Sequence, residues 1–380
     1  LAYAQKGNTL VFSTDIQAVR QHPVIPAEIS NQGIFNYFYF HMIPSPGSIY
    51  EGIEKLLPGQ YVEFQNGNLH QDFYWSIDYT ESLNNNKDEQ QKQFFELLNH
   101  SVKSRISDKH VGAFLSGGLD SSTMAGILAS QQEKAQTFSI GFNAEGYDET
   151  PYARVTAKHF NTDHHELYIT PEDVYNAIPL IASAYDEPFG NASAIPAYYC
   201  ARFAKENGIE LLIAGDGGDE IFAGNERYVK QQVFEYYDLL PQFLKHKLIE
   251  PIVDHSPWMN NIPLLSKASS YIGQAKIPLP SRLETYNFLN RTPLETMFEN
   301  DFLKSIDPNI PVLSMEETYH HTNSNHTLNK MLNLDMKLTI ADNDIRKVNR
   351  MCELADIDVV YPLLDENMVN FAAAIPHDLK

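Results

Sequence analysis

Between residues 94 and 214, short apolar runs alternate with amphipathic stretches, and this alternation constrains the fold more than anything else in the chain. Phe94, Leu98, Val102 and Ile106 recur every four residues, the spacing of one helical face. Residues 111–115 follow as a short apolar strand. Met124, Ile127 and Leu128 mark a helix, residues 137–142 a strand, Ala153, Ala157 and Phe160 a helix, and residues 165–169 a strand. Val174, Ile178, Ile181 and Tyr185 mark the next helix, with Thr170 as its N-cap and Pro171 in its first position. Ile195, Tyr198, Tyr199 and Phe203 mark another, ended by Asn207-Gly208, before the strand at 211–214. Strands that alternate with helices imply an α/β fold with a parallel sheet. Such a sheet binds ligands beyond the carboxyl ends of its strands. From about residue 230 the pattern is mostly helical and proline-rich.

The first 79 residues read differently. Short β-like runs are punctuated by Pro44-Ser45-Pro46-Gly47 and Leu57-Pro58-Gly59, with hairpin signals at Lys6-Gly7-Asn8 and Asn66-Gly67-Asn68. A polar stretch from Glu81 to Asp88 has no apolar period. The organisation expected is a β-rich unit over 1–79, a linker over 80–89 and the α/β unit over 90–380. A strand beginning at the second residue and an abrupt stop at Lys380 suggest a fragment of a longer protein.

Composition excludes several function classes. With 49 acidic against 28 basic residues the 380-residue chain carries a net charge of −21, which argues against nucleic acid and anionic membrane surfaces as partners. Two cysteines, Cys200 and Cys352, cannot build a disulfide framework or a zinc site, so a reducing, cytoplasmic setting is expected. No apolar run approaches the roughly 18 residues of a membrane span.

Two loops carry the chemistry. Phe114-Leu115-Ser116-Gly117-Gly118-Leu119-Asp120-Ser121-Ser122 joins a predicted strand to a predicted helix. Adjacent glycines let the backbone turn sharply and approach a ligand, and the following helix offers free N–H groups at its positive end. Ser116, Ser121 and Ser122 add hydroxyl donors, so the loop suits a pyrophosphate; lacking a Gly-Lys-Ser/Thr ending, it is not a Walker loop. The plain alternative is a Gly-Gly turn whose serines cap a helix. A second loop, Gly215-Asp216-Gly217-Gly218-Asp219-Glu220, follows the strand at 211–214. Beside a phosphate cradle its acids make sense as magnesium ligands, because Mg²⁺ is often held by one or two carboxylates plus substrate phosphates. Asp120 and Asp219 would both lie at carboxyl ends of strands in one sheet and can face each other. A solvated or calcium-type acidic loop is the alternative.

The 116–122 loop resembles the pyrophosphate loop of the asparagine synthetase family, and residues 215–222 resemble its acidic loop. Asp186-Glu187-Pro188-Phe189 with Ser193-Ala194-Ile195-Pro196, and residues 347–365 ending in Tyr361-Pro362-Leu363-Leu364-Asp365, are similar to two further family blocks. Residues 10–75 are similar to the second half of the family's glutaminase domain, through Phe12-Ser13-Thr14-Asp15, Ile43-Pro44-Ser45-Pro46, Leu57-Pro58-Gly59 and Tyr74-Trp75. The resemblance implies an ATP-pyrophosphatase domain preceded by a remnant of an Ntn-type glutaminase. It implies an amide ligase that adenylates aspartate or a related acid with Mg-ATP and passes glutamine-derived ammonia to the acyl-adenylate. ATP would be held by Phe114, Ser116, Gly117, Gly118, Asp120, Ser121, Ser122, Ile140, Ala214 and Gly215, with Phe114, Ile140, Ala214 and Gly215 meeting adenine and ribose through their backbone. Asp120 and Asp219 would hold the magnesium, and Asp216 would stand beside the reacting carboxylate. The partners implied are ATP, glutamine or ammonia and a small carboxylate, with a homodimer left open.

The chain departs from the family pattern in specific places. By the resemblance, the glutaminase's N-terminal cysteine would lie upstream of Leu1, and the family's late lysine would come after the block ending at Asp365, beyond Lys380. Met351-Cys352-Glu353-Leu354 replaces a usual serine-methionine-alanine, Val360 stands for an arginine and Asn191 for an aspartate. These departures keep two alternatives open: a ring-closing amide synthetase of the β-lactam-synthetase kind, and a fragment that binds nucleotide or a partner without turnover. Lys347 and Arg350 could face phosphate or pair with acids. The histidines at 164–165 and at 320, 321 and 326 read as surface residues before metal ligands.

Overall fold

The Lys6-Gly7-Asn8 signal turns the chain between β1 (Ala2–Lys6) and β2 (Thr9–Ser13), which pair antiparallel from Ala2 opposite Ser13 to Lys6 opposite Thr9. The computed structural model describes residues 1–26, 28–83, 86–106, 109–144, 146, 148–238, 240–251 and 263–380. Residues 84–85 of the expected linker lie outside them.

Helices interrupt the β-like reading of the first 79 residues. Helix α1 (Ile16–Arg20) follows β2, and α2 (Asn31–Phe40) forms where aromatic residues suggest strand. The reason is local capping joined to burial. Ser30 Oγ accepts the Gly33 N–H at 3.1 Å, and Phe35 and Tyr39, four residues apart, enter one buried face. Strand β3 (Glu54–Lys55) pairs with β1, while β4 (Gln60–Gln65) and β5 (Asn68–Phe73) make a separate hairpin around Asn66-Gly67. Helix α3 (Lys87–Arg105) starts inside the polar stretch expected to link the two units. Asn86 caps it, and Asp88 and Glu89 sit at its positive end. Its Leu98 and Val102 are fully buried, as the four-residue spacing requires.

The alternation then unfolds as expected into β6 (Val111–Phe114), α4 (Leu119–Gln131), β7 (Gln136–Phe142), α5 (Thr150–Phe160), β8 (Asp163–Ile169), α6 (Pro171–Ala184), α7 (Ala194–Glu206) and β9 (Leu211–Ile213). Thr170 and Asp173 form a capping box at the start of α6. A late strand, β10 (Asp358–Val360), completes a five-stranded, fully parallel sheet in the order β10-β9-β6-β7-β8. The chain builds outward from β6 to β8 on one side, then returns to lay β9 and β10 on the other. The strand order therefore reverses between β6 and β9, where the loops leaving the two strands diverge and open a crevice.

The chain beyond α8 (Gly218–Phe222) is mainly helical. Helix Thr327–Asp335 runs through a π-helical stretch, Met336–Asp344, into helix Ile345–Leu354, which packs on α7. No helix among the described residues is long and apolar enough to cross a membrane. The N-terminal unit docks on the α/β unit through charge. The fully buried Glu187 carboxylate accepts Lys55 Nζ at 2.6 Å, an Arg346 N–H at 2.7 Å and the Ile49 amide at 3.2 Å. Asp186 accepts a second Arg346 N–H at 2.7 Å and the Ile16 amide at 3.2 Å.

Candidate active site

The loop after β6 is shaped by Gly117, whose φ is +89°. A Cβ there would sit 2.6 Å from the Ala153 backbone nitrogen, so glycine alone fits between β6 and α5. Helix α4 begins with Gly118 as its N-cap and no side-chain cap, which leaves its first-turn amides to a ligand. Ser116 Oγ and Ser121 Oγ lie 3.0 Å apart, and Ser121 Oγ accepts the Ser116 amide at 3.2 Å. Ser122 is directed elsewhere, to Thr156 of α5 at 2.9 Å.

The loop after β9 reaches this one. A Cβ on Gly215 would lie 2.9 Å from the Asp120 carbonyl carbon, and one on Gly218 would overlap the Asp120 carboxylate. The Asp219 amide donates to that same carboxylate. Asp120 is thus the point where the two loops touch across the switch point. Burial first, then the charges of Asp219 and Asp216, push its carboxyl up to about 6, against the Asp219 hydrogen bond. Burial also pushes Glu220 up to about 7, with Asp335, Asp219 and Asp344 adding to it.

This crowding fits a divalent cation. Hard carboxylate oxygens repel one another in a half-buried corner, and a Mg²⁺ ion shared with phosphate oxygens would relieve the repulsion. Among the described residues no group of three or more His, Cys, Asp or Glu is arranged to hold a metal by itself. A cation held by Asp120 and Asp219 would complete its shell with ligand phosphates and water. Among the described residues the two histidine groups form no such cluster either.

Beside the loops lies a cavity of about 330 Å³. Phe114, Leu115 and Ser116 line one wall, Phe138, Ser139, Ile140 and Phe142 of β7 a second, and Pro196, Ala197 and Cys200 of α7 a third, with Asp216, Lys347 and Val348 opposite. Of the expected nucleotide and catalytic residues, Phe114, Ser116, Ile140 and Asp216 line this space. Gly117, Gly118, Asp120, Ser121, Ser122, Ala214, Gly215 and Asp219 belong to the adjoining loops. Burial pushes the Cys200 and Cys352 thiols up, Cys352 to about 12, so neither is an activated nucleophile.

Lys347 and Arg350, undecided in the sequence, separate in space. Lys347 faces the cavity and donates to Asp344 at 2.8 Å. The Asp216 carboxyl is pushed up by burial and by Asp344 and held down by Lys347. Arg350 turns away, to Glu353 at 3.0 Å, and lines a larger cavity of about 620 Å³ where the N-terminal unit meets helix Ile345–Leu354. The one sequence signal that pointed to Lys347 is its place at the start of the 347–365 block.

Residues 93–380 match the family model described as asparagine synthase, and residues 1–75 match that of a glutamine amidotransferase domain. Asparagine synthetase (glutamine-hydrolyzing) 1 of Bacillus subtilis is 26% identical over 361 residues, covering 93% of this chain and 54% of the relative. Asparagine synthetase (glutamine-hydrolyzing) 3 of the same bacterium is 25% identical over 396 residues, covering 100% and 57%. A putative asparagine synthetase (glutamine-hydrolyzing) 2 of Methanocaldococcus jannaschii is 36% identical over 253 residues, covering 64% and 48%. The chain spans about half the length of the curated relatives it matches. With the family match extending over most of its length, and with a parallel sheet and two glycine-rich loops of the expected kind, the chain belongs to the asparagine synthase family.

Proposed function

We propose that this chain carries the synthetase site, and part of the glutamine-hydrolysing unit, of an ATP-dependent amide ligase. In this reading residues 1–79 belong to the glutaminase unit, 80–89 join the units and 90–380 form the ATP-binding unit. The observation that carries it is the contact of two glycine-rich loops at Asp120, across the switch point of the sheet and beside a cavity with one apolar and one charged wall.

A carboxylate is a poor acyl donor because its leaving group would be oxide. Joining it to AMP removes that obstacle. The substrate's carboxylate oxygen attacks the α-phosphorus of ATP, and the bond to the bridging oxygen breaks as pyrophosphate leaves with the electron pair. Phe114 at the end of β6 and Ile140 within β7, with Ala214 and Gly215, hold the nucleoside. The α4 amides with Ser116 and Ser121 hold the phosphates and spread the leaving group's charge. Asp120 and Asp219 hold the Mg²⁺, which supplies charge neutralisation on the triphosphate. Ammonia, derived from glutamine, then attacks the acyl carbon and AMP leaves. Asp216, its carboxyl raised by burial, stands beside the reacting acid and is suited to take the proton that nitrogen sheds.

Acid-dependent exchange of labelled pyrophosphate into ATP tests this reading. The protein is expected to catalyse it with Mg²⁺ and one carboxylate of a panel. A folded protein that binds ATP yet exchanges with no acid would contradict it.

A further inference from the structure

Helix α5 meets both halves of the nucleotide region. Its backbone at Ala153 closes against Gly117 of the phosphate loop, and Thr156 bonds Ser122 at 2.9 Å. Its first residue, Thr150, is 1% exposed and lines the cavity with Ile140 and Phe142, with Glu149 at the rim. A chain of hydrogen bonds reaches Thr150 from outside the cavity. Arg154 Nε and Nη2 donate to the Glu166 carboxylate of β8 at 2.7 and 2.6 Å, and Nη2 also donates to the Tyr168 hydroxyl at 2.9 Å. The Tyr168 hydroxyl lies 2.8 Å from Thr150 Oγ1, which donates to Asp148 Oδ1 at 2.9 Å. Asp148 Oδ1 also accepts the Thr150 amide at 3.2 Å. A guanidinium only donates and an ionised carboxylate only accepts, so the direction is fixed: Arg154 to Tyr168, Tyr168 to Thr150, Thr150 to Asp148. The Tyr168 ring is held as well. It stands opposite Gly141 in the β7–β8 pairing, where a Cβ would come within 2.5 Å of it, and Gly141 lies between Ile140 and Phe142 of the cavity wall.

We propose that Arg154, which does not line the cavity, is a positioning residue for the nucleotide and acts through Tyr168 on Thr150. The inference rests on the reading of this cavity as the nucleoside site. The N-cap residue of α5, Glu149, makes no side-chain cap, so the contacts of Thr150 with Asp148 and Tyr168 hold the first turn in place. That turn is part of the cavity wall, and three residues on the same helix closes against Gly117. Freed from Tyr168, the turn must be ordered again each time a nucleotide enters, and the cost falls on affinity. It falls equally on the ground state and the transition state, so KM for ATP carries it and kcat does not. As a stability element the ion pair contributes little, because the Arg154 and Glu166 side chains are 52% and 19% exposed.

The test compares the native full-length protein with Tyr168→Phe, Arg154→Met and the double variant, by calorimetric titration with Mg-ATP and by labelled pyrophosphate exchange. Tyr168→Phe keeps the ring over Gly141 and removes only the hydroxyl. Each single change should weaken Mg-ATP binding about tenfold, raise the KM for ATP by the same factor and move kcat less than about twofold. The double variant should bind no more weakly than the weaker single one, because both changes break one chain. Folded variants with native affinity for Mg-ATP would overturn the inference. So would a fall in kcat with KM unmoved, or losses that add in the double variant. A native protein that binds no Mg-ATP would remove the nucleotide reading of the cavity and this inference with it.

Discussion

Arg346→Met probes the docking of the N-terminal unit on the α/β unit. The guanidinium bonds Asp186 and Glu187 at 2.7 Å each, and the three side chains are 16%, 9% and 0% exposed. Methionine keeps an unbranched stem beside the Tyr185 and Phe189 rings, which the guanidinium carbon approaches to 6.0 and 5.7 Å, so the loss reads mainly as charge. Two buried carboxylates would remain. Glu187 keeps Lys55 at 2.6 Å, and Asp186 keeps the Ile16 amide and a distant Arg350 at 3.9 Å. Removing one partner of a buried ion pair costs about 3–5 kcal/mol, and the remaining partners place this case near about 3 kcal/mol. For a chain of 380 residues that lowers the melting midpoint by roughly 4 °C. The pH dependence follows from Asp186, whose carboxyl burial would raise but Arg346 and the Ile16 amide hold below its ordinary value. A depressed carboxyl contributes stability that is present above about pH 3.9 and lost as pH falls through the lower folded value. The gap between native and variant proteins should therefore be full at neutral pH and close in acid. Circular dichroism melts across that range measure it. A gap under about 1 kcal/mol, typical of exposed pairs, or one independent of pH, would refute the reasoning.

Two glycine substitutions separate structure from chemistry. In Gly218→Ala the new Cβ meets the end of the Asp120 side chain, which can swing aside. Stability should stay within about 1 kcal/mol by chemical denaturation, while pyrophosphate release falls at least about tenfold. In Gly117→Ala the new Cβ meets the Ala153 backbone at 2.6 Å, at a φ of +89°. The fold should lose about 2 kcal/mol or more, read as a lower denaturation midpoint.

Local signals carried much of this fold. The strands from β6 to β9 and their helices were legible because their apolar spacing is set within a few residues, and the Thr170 cap because its partners are adjacent. The loops at 116–122 and 215–220 stood out because glycines and acids gather there without a stabilising reason. Among the features that escaped, three depend on contacts distant in sequence. Helix α2 forms because Phe35 and Tyr39 gain a buried face, which outweighs their strand preference. Strand β10 has only three residues and exists through its pairing with β9. Lys347 and Arg350 lie three residues apart on one helix, yet one faces the cavity and the other the N-terminal unit, because the acids that choose between them arrive from other segments.

We propose that Asp120 and Asp219 act on one cation carrying the triphosphate. Equilibrium binding of ATP, with and without Mg²⁺, to the native protein, Asp120→Asn, Asp219→Asn and the double variant tests it most directly. Each single change should remove most of the Mg²⁺-dependent affinity, at least about tenfold, and the double variant should bind no worse than either single one. Losses that add independently, or Mg²⁺-dependent affinity that survives either change, would contradict a cation shared by the two carboxylates.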